Sequence, residues 1–496
     1  MMFKSTRDSA VRVSASEAIL KGLSADGGLF VPESFPTLTL DDIEGLSEKS
    51  YKERAIEVLS LFLSDFSDEQ LVSCVERAYS AKKFGSDSII RIEELNDTAQ
   101  MLELWHGPTC AFKDMALQIL PHLLTTSAQI QHCENEIVIL VATSGDTGKA
   151  ALEGFCDVPG TRMIVFYPED GVSPMQKRQM TTQEGENVAV CAIKGNFDDA
   201  QTAVKTIFVD EELRASMTEN GKQFSSANSI NWGRLVPQVV YYVAAYAQLV
   251  QDETIKLGDT VNVCVPTGNF GNILAAYYAK KMGVPFGKLI CASNENNVLT
   301  DFIRTGTYDK NRAFHATISP SMDILISSNL ERLLYDLCGE DDAQVRAWYE
   351  SLAKTGTFTI SDEVKEKLSE HFYGGCCDDT RTKETIREAF EEESYLCDTH
   401  TAVAVSVYED YKTQTDDDTL TLIASTANPY KFAQSVLSAV YDELPADEYD
   451  QIDTLCRLSG LSVPKALSEL KEKPVRFTGS IPRETIKETV AEMLGL

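Results

Sequence analysis

The sequence predicts an α/β fold of parallel sheets with helices on both faces, and three observations carry that prediction. Short β-branched runs at 137–142, 162–167, 188–193, 260–265 and 289–292 alternate with stretches of helical period such as 199–208 and 237–250. Strand, helix, strand in succession is the pattern of a parallel sheet covered on both sides. Glycine-rich turns stand between strand and helix at 143–148 and 266–272. Hydrophobic residues fill 43% of 496 positions with every residue type present, which fits folded structure of about three domains' length at roughly 150 residues each.

Composition also excludes. With 45 Lys+Arg against 76 Asp+Glu the formal charge is −31, and no basic stripe interrupts the acidic balance. Neither nucleic acid nor an anionic membrane is therefore expected as a partner, and a small anionic ligand needs a local cluster of donors. No apolar run approaches the ~20 residues of a membrane span, and residues 1–21 lack the apolar stretch of an export signal. The 12 cysteines are scattered without a CxxC pair, so they read as buried thiols of a reducing compartment, with zinc a poor alternative. The expectation is a cytoplasmic protein with no metal and no obligate protein partner.

Residues 1 to about 90 are polar and helical in pattern, most clearly at 43–63 and 69–82. In HGPTCAFKDMALQIL, 106–120, a turn at Gly107 and Pro108 leads into helical spacing. Phe112, Ala116, Ile119 and Leu123 form one apolar stripe, and Lys113, Leu117, Leu120 and Leu124 a second. Lys113 is then either a desolvated amine with its pKa lowered toward nucleophilic use, or a lysine whose stem reaches the surface. The strand at 137–142 runs into TSGDTG, 143–148, and a helix at 149–155. There Ser144, Asp146 and Thr147 offer hydroxyls and backbone donors suited to a carboxylate, an N-cap being the plainer role for Asp146.

NSINWGR, 228–234, gathers Asn228, Ser229 and Arg234, either as a site for a second oxyanion or as a polar turn before a helix beginning at Pro237. PTGNFGN, 266–272, follows the strand at 260–265 and opens a helix at 273–282. Backbone N–H groups converge there at the positive end of a helix dipole, which makes a phosphate cradle or an ordinary glycine-rich connection. It has neither the lysine of a P-loop nor full GxGxxG spacing. Residues 325–400 are helical and charged, with Glu391, Glu392 and Glu393 reading as a solvated face. The strand at 420–424 ends in STANPYKF, 425–432, placing hydroxyls where the loops of parallel sheets meet ligands, although Pro429 explains a simple turn as well.

One buried lysine, one phosphate cradle and separate donors for a carboxylate and a further anion form the combination that pyridoxal phosphate chemistry requires. HGPTCAFKD, SGDTG, NSINWGR, PTGNFGN and STANPYKF, in this order, resemble the threonine synthases, pyridoxal-phosphate enzymes of the tryptophan-synthase β-like fold, fold type II. The likeness extends to DGGLFVPE at 26–33, SPSMDILISSNLERLL at 319–334 and DTHTAVA at 398–404, and is nearest the longer microbial and fungal branch.

The resemblance implies two parallel-sheet α/β domains with the cofactor between them, plus helical amino-terminal and inserted segments. Their expected bounds are 1–90 for an amino-terminal domain, 91–135 with 230–496 for a large cofactor-binding domain including a charged insertion at about 325–400, and 136–229 for a small substrate domain. It further implies Lys113 as the Schiff-base lysine, Gly268, Asn269, Phe270, Gly271 and Asn272 as the loop for the pyridoxal 5′-phosphate phosphate group, and Thr426 beside the pyridine nitrogen. Ser144, Asp146 and Thr147 would meet the amino-acid end of the substrate, and Asn228, Ser229 and Arg234 its phosphate. The implied reaction turns O-phospho-L-homoserine and water into L-threonine and phosphate. Thr399 stands where the family has proline, which loosens the expected constraint on His400. A fold-type II dehydratase and a catalytically silent binder of phosphorylated ligands are the rival readings, and only a phosphorylated substrate calls for the second anion site.

Overall fold

The computed structural model describes residues 1–143, 145–169 and 172–496. Two separate sheets organise the chain. The larger has six strands in the order Phe372–Cys376, Phe286–Ser293, Val261–Pro266, Thr421–Ser425, Ala99–Glu103 and Arg91–Asn96, all parallel except the last. The smaller is wholly parallel, in the order Ser480–Pro482, Val188–Lys194, Thr161–Pro168, Glu136–Ala142 and Lys222–Ser225.

Alternation along single strands explains how helices cover both faces. Val263 and Val265 face the helices Trp232–Gln251 and Gly271–Met282, while Cys264 points to the other side, against Val403 and Ala404 of the helix Thr399–Thr415. In the smaller sheet Ile137 and Ile139 face the main core, and Val138 and Leu140 face a second one. Central strands therefore read as unbroken apolar runs because both faces are dry.

The helix Trp232–Gln251 is buried along almost its whole length and is apolar on every side. It begins before Pro237, the expected start, because the Asn231 side chain accepts from the Gly233 backbone N–H and caps it earlier. That displacement puts Arg234 on the first helical turn. The expected helix at 43–63 is two helices, Leu40–Ser47 and Tyr51–Phe62, divided where Ser50 and Glu53 form a reciprocal cap. The amino-terminal region also holds a three-stranded antiparallel sheet, Val13–Ser14, Met2–Ser5 and Phe30–Pro32, the last drawn from DGGLFVPE.

Two differences from expectation bear on the architecture. The charged segment 325–400 contains the edge strand Phe372–Cys376, hidden in the sequence by two glycines. A Cβ on Gly375 would lie 2.5 Å from Val407 Cγ1, and one on Gly374 3.1 Å from Thr300 Cα, so the strand needs glycine to fit between its helices. Residues 480–496 do not join the large unit as the 230–496 assignment expects. Ser480–Pro482 extends the smaller sheet, and Ile486, Val490 and Leu494 pack on its outer face with Val138, Leu140 and Phe166. A three-residue strand ending in proline gives no periodic signal to read.

Among the described residues no helix is long and apolar enough to cross a membrane. All 12 cysteines are free.

Candidate active site

Loops from the carboxyl ends of strands in both sheets converge on one pocket with a cavity volume of about 100 Å³, the position at which parallel sheets bind ligands. Lys113 follows the strand Ala99–Glu103, Thr147 follows Glu136–Ala142, the 268–272 loop follows Val261–Pro266 and Thr426 follows Thr421–Ser425. Asn228, Ser229 and Arg234 close it from the start of the buried helix.

Lys113 is set by the turn before it. Thr109 donates its backbone N–H and its hydroxyl to the buried Asp114 carboxylate at 2.8 and 2.7 Å, and a Cβ on Gly107 would lie 2.5 Å from that side chain. Lys113 caps the short helix Asp114–Leu117, and its side chain is 11% exposed. Its stem does not carry the amine out to the surface. Its Nζ donates to Ser321 Oγ at 3.2 Å and lies 4.0 Å from Asp146 Oδ2. Burial lowers the ammonium pKa to about 8; Asp146 pulls it up, while Arg234 and Lys431 push it down.

Among the described residues the glycine-rich loop presents donors without acceptors. Phe270 begins the helix Gly271–Met282 in the left-handed region at φ 62°, and no side chain caps that helix. The strained backbone is fastened by packing, since the Phe270 ring is buried against Phe372. A Cβ on Gly268 would lie 2.6 Å from the Ser321 carbonyl oxygen, so the loop approaches too closely for any side chain there. Tyr241 and Tyr242 each donate to Asn272 Oδ1 at 2.6 Å, which fixes the amide so that its NH₂ group is the free end. That Nδ2 is buried with no partner among the described residues. Uncapped helix N–H groups and an orphaned amide together ask for an anion.

Arg234 makes a second such place. It is buried, donates to Ala227 O at 2.8 Å and has no carboxylate partner among the described residues. Burial lowers its pKa to about 10, still leaving it charged at neutral pH. Thr426 is knit to the Lys113 loop, accepting from Phe112 N at 2.8 Å through its carbonyl and donating its own N–H to Thr401 Oγ1 at 3.2 Å.

Ser144 lies outside the described residues. Asp146 is not the N-cap, which is Gly145, and one of its two oxygens is already engaged. Its Oδ1 receives Lys431 Nζ at 2.6 Å and Gln176 Nε2 at 3.0 Å. Burial alone would raise its pKa, but Lys431 and Lys113 hold the carboxyl well below the usual carboxylate range. His400 is fixed at both ring nitrogens despite Thr399. Nε2 accepts from Ser321 N at 3.1 Å, which leaves Nδ1–H to donate to Asp398 Oδ1 at 2.9 Å.

Sequence reasoning missed Gln238, Ser321 and Met322, which line the pocket, and Lys431, which lies behind it. Ser321 and Met322 sit inside SPSMDILISSNLERLL, and Lys431 inside STANPYKF, so the motifs were in view without their individual roles.

Family models match the chain in three successive blocks: "Threonine synthase N terminus" over 2–79, "Pyridoxal-phosphate dependent enzyme" over 99–360 and "Threonine synthase, C-terminal" over 401–490. Threonine synthase-like 1 of Homo sapiens is 42% identical over 438 residues, which are 86% of this chain and 58% of that protein. The chain thus spans little more than half the length of the first curated relatives it matches. Threonine synthase of Pseudomonas aeruginosa is 36% identical over 98% of this chain and 97% of its own. The crystal structure of PLP-bound threonine synthase from Brucella melitensis superposes with a TM-score of 0.88 at 35% identity, covering 99% of both chains.

Proposed function

The chain belongs to the threonine synthase family, and on that premise we propose that it converts O-phospho-L-homoserine and water into L-threonine and phosphate with pyridoxal 5′-phosphate as cofactor. The observation that carries the proposal is the presence of two separate anion sites in one pocket. Among the described residues, the uncapped helix at Gly271 with the orphaned Asn272 amide is one, and buried Arg234 without a carboxylate is the other. A dehydratase of unphosphorylated amino acids needs, besides the first, a place only for the substrate carboxylate, the role the sequence reading gives to the turn bearing Thr147; a buried guanidinium beyond that suits a substrate with a phosphate of its own.

The residues present fit the cofactor. Lys113 would hold it covalently, the 268–272 loop its phosphate, and Thr426 its ring nitrogen. Once bound, the cofactor supplies an electron sink that allows a proton to leave the carbon bearing the substrate amine. The chain contributes the rest. Lys113, with its pKa lowered to about 8, is neutral in a useful fraction near neutral pH, so its Nζ can accept and return protons. Ser321 Oγ holds that nitrogen in place. Arg234, with Asn228 and Ser229 beside it, holds the substrate phosphate and keeps it as it departs. Burial of these groups excludes bulk water and strengthens each charged contact.

Purified protein supplied with O-phosphohomoserine should release phosphate and form threonine in equal amounts. Release of phosphate without threonine, or turnover of serine or threonine in preference, overturns the proposal.

A further inference from the structure

Lys431 is a buried cation for which the chemistry above has no use. Its side chain is wholly inaccessible, and its Nζ donates to Thr109 O at 3.0 Å and meets Asp146 Oδ1 at 2.6 Å. The two oxygens of Asp146 are thereby divided. Oδ1 takes Lys431 and Gln176, and Oδ2 is the one that faces Lys113 at 4.0 Å. The pair also joins the two halves of the fold. Asp146 and Gln176 lie on helices attached to the smaller sheet, whereas Lys431 and Thr109 lie on loops at the carboxyl ends of the larger one.

We propose that Lys431 is a positioning residue that neutralises Asp146 across the joint between the sheets, so that Asp146 steadies Lys113 without locking a proton on it. The proposal rests on the reading of Lys113 as the reactive amine. A buried carboxylate whose one strong cation is Lys113 would hold that lysine as ammonium, which can neither attack a carbonyl nor accept a proton. Lys431 takes up the charge instead and adds its own repulsion. Other charged and titratable groups also face Lys113. Arg234, from the buried helix, acts in the same sense as Lys431 and more strongly, but it has no bond to Asp146 and so does not take up that carboxylate's charge; Asp114, on Lys113's own helix, acts with Asp146 but as the weakest contributor. His400, from the helix Thr399–Thr415, keeps its proton on the side of Asp398 while its Nε2 accepts from Ser321.

The test follows the titration of Lys113 in the full chain freed of cofactor, using cyanate as a small amine-selective probe and peptide mass spectrometry to quantify carbamoylation against pH. Lys431→Met should raise the midpoint by about one pH unit, so that at neutral pH Lys113 reacts about tenfold more slowly. Lys431→Arg, which keeps the charge, should stay near the parent. Asp146→Asn should move the midpoint down, and this opposite sign keeps the test decisive if Lys431→Met does not fold. A folded Lys431→Met protein with the parent's midpoint, or an upward shift in Asp146→Asn, makes Lys431 a simple pin between the sheets and overturns the proposal. No substrate takes part, so loss of the synthase reading and loss of this one are told apart: the first fails in the turnover assay, the second in the cyanate profile.

Discussion

Arg234 and Arg332 are both buried guanidinium groups, and their partners separate their roles. Arg332 donates to Phe30 O at 3.0 Å, Ile230 O at 2.6 Å and Asn329 Oδ1 at 2.5 Å, tying the amino-terminal sheet to the loop before the buried helix. Among the described residues Arg234 makes one side-chain bond, to Ala227 O, and it lines the pocket. Arg234→Ala should thus lower kcat/KM for O-phosphohomoserine by tens to about a hundredfold, the equivalent of a lost charged hydrogen bond of about 1.5–3 kcal/mol, with Tm and cofactor binding intact. Arg332→Ala should instead lower Tm, which a thermal melt would read. Borohydride reduction of the cofactor-loaded protein should leave the cofactor on the peptide containing Lys113; its appearance on Lys431 or elsewhere would displace Lys113 from the chemistry. The apolar stripe through Lys113 left it between a desolvated amine and a lysine reaching the surface, and the resemblance of HGPTCAFKD singled it out. Lys431 was not, because the turn at Pro429 carries no period from which burial could be read.

The strand-to-helix turn at 266–272 shows how an element stores its function in backbone geometry. Phe270 in the left-handed region, on the order of 1–2 kcal/mol unfavourable for a residue with a Cβ, aims the first turn of Gly271–Met282 at the pocket. Gly268→Ala should force the loop off the Ser321 carbonyl and weaken cofactor affinity, as measured by equilibrium dialysis. The double change Tyr241→Phe with Tyr242→Phe should free the Asn272 amide to rotate and cost about tenfold in the same measurement, at about 1 kcal/mol per hydrogen bond with partial compensation by solvent. An unchanged affinity would remove Asn272 from the phosphate site. Elements whose signal is local were readable: β-branched runs marked the strands near 137–142, 162–167 and 188–193. Phe372–Cys376 was not, because its glycines answer to Val407 and Thr300, residues distant in sequence.

Across the whole molecule, the pocket belongs to neither sheet alone, and the acidic surface does not determine what enters it. A field from a formal charge of −31 is screened within ~10 Å, so anions are selected by buried donors at contact range. The carboxyl-terminal helix Ile486–Leu494 is part of the smaller sheet's core, and Ile486→Ala should cost about 2–5 kcal/mol there. Amide exchange should then quicken along Val188–Lys194 while Val261–Pro266 keeps its protection; equal acceleration in both would mean that the sheets unfold as one unit. The pairing of Ser480 with Ala192 carries a further consequence, for the order of events on the ribosome. Val188–Lys194 is made early and waits as an exposed edge, with the apolar face around Val138 and Phe166 uncovered, until residues 480–496 have emerged about 290 positions later. The larger sheet can acquire its last strand, Thr421–Ser425, before then. Synthesis therefore supplies every strand of the larger sheet first and leaves the half bearing Asp146 open to chaperones until residues 480–496 emerge.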